Sequence, residues 1–73
     1  MISVVVISQD EKRVVLEGTV DGYPQLTQRW TISAAALAVN PGLLAQGRDE
    51  LLNRLQVNYD NWQGVLAGLQ EMQ

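Results

Sequence analysis

The residues of this chain that could do chemistry are few, and their spacing argues against most of it. Two carboxylate pairs, Asp10/Glu11 and Asp49/Glu50, have the residue types for general acid–base work or for holding a metal. Both have local explanations. The first pair falls in the polar turn Asp10-Glu11-Lys12, and the second opens a helical pattern whose first turn favours negative charge. Asn58, Asp60 and Gly64 invite comparison with a calcium loop. Such a loop starting at Asn58 needs glycine where Gln63 stands and glutamate where Leu69 stands. Ser3, Ser8 and Ser33 have no histidine to activate them, since the chain contains none, and Lys12 is flanked by charge. Cysteine is also absent, which removes disulfides, thiolate nucleophiles and sulfur metal ligands together. The six glycines are dispersed and build no phosphate-binding loop. The chain is therefore expected not to be an enzyme, with no catalytic residues, no metal and no cofactor.

Composition narrows the partners. Eight carboxylates against five basic residues give a net charge of −3, and of the basic residues only Lys12 and Arg13 are adjacent. A nucleic-acid surface needs clustered lysine and arginine, so no nucleic acid is expected. The longest apolar run, Ala34 to Val39, is far shorter than a membrane span. Met1 to Ile7 carries no basic leader and no small-residue cleavage site. No membrane association is expected, and a cytoplasmic location is the simplest expectation. Seventy-three residues allow one domain, 1–73. A domain of this size buries only about 60% of its unfolded surface and is marginally stable without disulfides, metal or a partner.

The elements that must position these residues read as α+β. Ile2 to Gln9 is rich in Val and Ile and predicts a strand. Arg13 to Val20 predicts a second, with Val14, Leu16 and Val20 in phase. After the Asp21-Gly22 turn and Tyr23-Pro24, Gln25 to Ile32 predicts a third. There Leu26, Trp30 and Ile32 point one way while Gln25, Thr27, Arg29 and Thr31 point the other. Pro24 cannot donate to a ladder and favours an edge position for that strand. The first strand differs from the other two because it does not alternate. Ile2, Val4 and Val6 fall on one face, Val5 and Ile7 on the other. The whole of 1–32 is thus a three-stranded antiparallel meander.

Residues 33–47 form a short helical connector: Ser33 caps Ala34 to Val39, Asn40-Pro41-Gly42 interrupts, and a turn from Leu43 to Gln46 ends at Gly47. Residues 48–73 form a long amphipathic helix. Leu52, Leu55, Tyr59, Trp62, Leu66 and Leu69 recur at helical spacing, flanked by Leu51, Val65 and Met72. Glu50 and Arg54 make a favourable i,i+4 pair. The stripe could be a coiled-coil seam between subunits, but its flanks, among them Gln56, Gln63, Gln70, Asn58 and Val65, are uncharged. Uncharged flanks suit a helix lying on its own sheet, with Trp62 anchored in the core. Gly64 and Gly68 lie on the far side of the helix and point to loosely held final turns rather than to a close backbone approach. At about 1.5 Å per residue the helix outruns an eight-residue strand of about 27 Å and overhangs the sheet.

One helix covers one face of a sheet, so the other face meets solvent or a partner. The expected function is a non-catalytic protein–protein interaction or assembly protein, self-associating through the open sheet face and the end of the long helix. Val5, Ile7, Val15, Leu69 and Met72 are the expected contacts, with a second copy or another protein as partner. Two alternatives use the same layout. One is a small accessory or inhibitor protein acting on a larger partner, of a size that would suit a phage-encoded component. The other is a small-ligand binder with a pocket between sheet and helix near Trp30 and Trp62.

Overall fold

The computed structural model describes residues 1–72 and is α+β. Three strands, β1 (Ile2–Gln9), β2 (Arg13–Val20) and β3 (Gln28–Ser33), form an antiparallel sheet in the order β1-β2-β3. A short helix α1 (Ala34–Val39) leads to α2 (Leu43–Glu71), which packs across all three strands. The core is small. Leu16, Val20 and Ile32 from the sheet meet Leu51 and Leu55 from α2, and among the described residues no polar or charged side chain is buried.

Local sequence explains most boundaries. Ser33 Oγ accepts from the Ala36 amide at 3.4 Å and caps α1 as expected. At the first hairpin, Asp10 Oδ1 accepts from the amides of Lys12 (2.7 Å) and Arg13 (2.9 Å). These bonds favour the charged carboxylate and hold Asp10 below its ordinary value of 3.8. Gly22 takes φ +83° in the turn after β2.

Several expectations are corrected. The third strand begins at Gln28 rather than Gln25, because Pro24–Leu26 form a 3₁₀ turn. Pro24 has no donor for a ladder and its fixed φ suits the start of a helical turn. Leu26 still packs against the core, from that turn.

The long helix begins at Leu43, not at residue 48, and so takes five residues from the expected 33–47 connector. Asn40 starts it: its side chain accepts from the Gly42 amide at 3.1 Å and its carbonyl from the Leu43 amide at 3.1 Å. Asp49 and Glu50 therefore lie inside the helix and not in its first turn. The last residue of the expected 48–73 span, Gln73, lies outside the described residues.

Gly47 does not end a turn; it is the point where α2 comes closest to β3. A Cβ there would sit 3.0 Å from both Ile32 Cδ1 and the Trp30 ring. Across the same interface, a Cβ on Gly18 of β2 would collide with Leu55 Cδ1. The two glycines let the helix lie close on the sheet, and this contact overrides the helix-breaking tendency of Gly47.

The buried stripe of α2 is Gly47, Leu51 and Leu55, continued by half-buried Tyr59. Leu51 is central rather than flanking, and Leu52 is only half-buried and outside the core. Trp62 is likewise half-buried and packs on no core residue, so it is not the anchor its place in the stripe implied. The reason is length. At roughly 1.5 Å per residue the 29-residue helix runs about 43 Å, whereas an eight-residue strand spans about 27 Å. The sheet ends near Tyr59, whose ring meets Tyr23 edge-on at 5.4 Å, and Gln63 makes the last tie by donating to Tyr23 Oη at 3.1 Å. The molecule measures 53 × 17 × 16 Å.

Candidate interaction surface

β1 carries the first half of the candidate surface, and its register decides which residues show. Gln9 faces Val14, so the turn spans Asp10 to Arg13, one residue more than Asp10-Glu11-Lys12. That turn alone would put Ile7 opposite Leu16 and bring the odd positions under the helix. A β-bulge reverses the phase: Val6 faces Leu16, Ser8 faces Val15, and Ile7 is the extra residue between them. Ile2, Val4 and Val6 thus lie on the helix side, opposite Val20, Gly18 and Leu16. Val5, opposite Glu17, thus lies on the open side with Val15, and Ile7 is the bulged residue beside Val15.

The open face is not uniformly apolar. Val5, Glu17 and Arg29 stand in one row across the three strands, and Arg29 Nε lies 3.1 Å from Glu17 Oε2. The neighbouring row is Ser8, Val15 and Thr31. The face is polar toward β3, and its exposed apolar residues sit at the β1 edge. Val5 is 54%, Val6 50% and Ile7 42% exposed, and Val15 is half-buried.

The patch also wraps around that edge. On the helix side a groove of about 220 Å³ is lined by Val4, Val6, Leu16, Leu44 and Ala45, with Arg48 at its rim. Val6, Leu44 and Arg48 were not singled out by the sequence. Val6 had a signal in the apolar run Val4 to Ile7 of β1, which marks both sides of the strand and not only the open one.

The second half of the surface is the projecting end of α2. Trp62, Leu66 and Leu69 keep the angular position of Leu51 and Leu55 but lie beyond the sheet, with Val65 and Met72 on one flank. Leu69 is 51% and Met72 84% exposed. Gly64 and Gly68 have nothing within 4 Å of a Cβ on either. The structure brings Val5, Ile7 and Val15 together, and Leu69 and Met72 together, but separates the two groups: one is at the edge of the sheet, the other about 15 Å beyond Tyr59 along the helix.

The candidate chemical groups have local partners. Asp10 is occupied by its turn, Glu50 binds Arg54 at 3.3 Å as the i,i+4 spacing predicts, and Asp49 lies 3.5 Å from Arg48. Arg54 also stacks over the Trp30 ring at 4.7 Å. Among the described residues no three acidic side chains come together as a metal site would require. The groove beside Trp30 is lined by Ile32, Leu43, Gln46, Gly47 and Glu50 and not by Trp62, which is eight residues, about 12 Å, past Arg54. The two tryptophans thus do not frame one pocket. Among the described residues no helix is long and apolar enough to cross a membrane. No protein-family model, curated protein or solved structure matches the chain.

Proposed function

We propose that this chain is a non-catalytic interaction or assembly protein that self-associates, and that the projecting end of α2 is one of its contact surfaces. The observation that carries this reading is the continuation of the core stripe past the sheet. Trp62, Leu66 and Leu69 repeat the pattern that buries Leu51 and Leu55, yet they lie outside the core, Trp62 and Leu66 half-buried and Leu69 51% exposed. An isolated helical stretch of about 12 residues is marginal in water, and Gly64 and Gly68 weaken it by about 1 kcal/mol each relative to alanine. A contiguous apolar stripe on such a segment marks a contact surface.

The test is a chain carrying Leu66→Lys and Leu69→Lys, compared with wild type by sedimentation equilibrium and by identification of proteins captured from the native host. Loss of self-association, or of a specific captured protein, in the variant alone supports the reading. A wild type that is monomeric at every concentration and whose captured proteins all persist with the variant overturns it.

A further inference from the structure

We infer that two copies of this chain pair through their β1 edges, antiparallel about a two-fold axis at Val4, to make a continuous six-stranded sheet. This rests on the reading of the chain as a self-associating protein, but it assigns the contact to a surface other than the helix end.

The case starts from a mismatch between composition and position. Ile2-Ser3-Val4-Val5-Val6-Ile7 is apolar on both faces, the pattern of a strand covered on both sides, yet β1 stands at the edge of the sheet. Its outward backbone groups have no strand beside them. Edge strands are ordinarily blunted by brevity, charge, proline or a bulge, and the bulge of β1 leaves Ile2 to Val6 regular. β1 is eight residues long and has no charged residue and no proline. The opposite edge is protected in the ordinary way: β3 is six residues, carries Arg29, and follows Pro24. Three consecutive side chains of β1 (Val5, Val6 and Ile7) are at least 42% exposed, and they point to both sides of the sheet.

The occupant follows from charge and symmetry. Because Ile2 to Gln9 is uncharged, two copies of β1 can lie side by side with no like charges opposed. Pairing β1 with the β3 edge of another copy would instead join unlike edges, a head-to-tail contact that builds a ring or a filament rather than a two-fold pair.

The bulge sets the register. It interrupts the regular strand after Val6, leaving Ile2 to Val6 as the straight segment, whose centre is Val4. A two-fold axis perpendicular to the sheet at Val4 sets Ile2 of each copy beside Val6 of the other. Both helices then lie on the same face, and the apolar groove beside Leu44 in one copy continues into that of the next.

The absence of cysteine makes the register testable directly. Directly opposed residues in an antiparallel pair have Cα atoms about 4.5–5.5 Å apart, within disulfide reach. Val4→Cys should therefore give a covalent dimer under mild oxidation, while Glu17→Cys, on the central strand, should not. Val5→Lys with Ile7→Lys brings four ammonium groups along one seam. It should convert a species of twice 8.1 kDa into one of 8.1 kDa in sedimentation equilibrium, with the circular-dichroism melt retained. A wild type that stays monomeric throughout, or a dimer that survives the double lysine change without a Val4→Cys cross-link, overturns the proposal. If dimerisation is instead lost only with Leu66→Lys and Leu69→Lys, the edge pairing is wrong and the helix-end reading stands.

Discussion

Gly18 of β2 lies directly beneath Leu55 of α2, so close that a Cβ on the glycine would overlap the leucine Cδ1. In most strands replacing glycine by alanine is favourable, because the unfolded chain loses freedom. Here the added methyl must push α2 off the sheet, with Leu51 also in the way at 3.1 Å. Gly18→Ala is expected to destabilise the domain by about 1–3 kcal/mol in chemical denaturation. A neutral or stabilising result would mean that the helix can lift without loss.

Leu51 and Trp62 share the helix stripe but not its environment. Leu51 is fully buried, and Leu51→Ala should cost about 2–5 kcal/mol. Trp62 lies past the sheet, and at concentrations where the chain is monomeric Trp62→Ala should cost about 1 kcal/mol or less. Equal losses for the two substitutions would show that the final turns fold back onto the core.

The first hairpin should report pH through Asp10. Its carboxylate accepts two turn amides only when ionised with full strength, so its folded value is depressed. A depressed carboxylate contributes stability that is present above the ordinary value of 3.8 and lost as pH falls through the lowered folded value. Carbon-detected NMR should place the Asp10 midpoint below 3.8, with the Lys12 and Arg13 amides shifting at the same midpoint. A midpoint at or above that value would show that the turn bonds are not formed in solution.

The architecture was legible because most elements after β1 carried their own period. β2 alternates, α2 repeats at helical spacing, and Ser33 caps a run of alanines. What could not be read were the places where tertiary contact overrides local preference. Gly47 reads as a terminator until the ring of Trp30 is seen against it. Gln25 to Thr27 read as the start of the third strand until the 3₁₀ turn of Pro24–Leu26 is seen. Trp62 reads as core because the stripe does not change where the sheet stops; only the length of the strands sets that limit.

The candidate surface was legible in part and for a similar reason. The lack of alternation in β1 marked apolar residues on both of its faces, and the register turns Val5 outward although the turn alone would have placed it inside. The bulge at Ile7 has no signature in the side chains of β1, all of which suit a regular strand. Val6 and Leu44 were missed because their exposure depends on how far the helix sits from the edge, a quantity no residue pattern encodes.

The overhang of α2 also governs how this chain moves through water. A compact domain of its length has a radius of gyration near 11 Å, whereas this one reaches 15.3 Å and is roughly three times longer than wide. Such a rod has a larger hydrodynamic radius than a sphere of equal mass and tumbles end over end more slowly than it spins about its long axis. A single copy should therefore leave a gel-filtration column slightly ahead of globular standards of its mass. Transverse amide relaxation rates in α2, whose N–H bonds lie along the rod, should exceed those of strand amides directed across it.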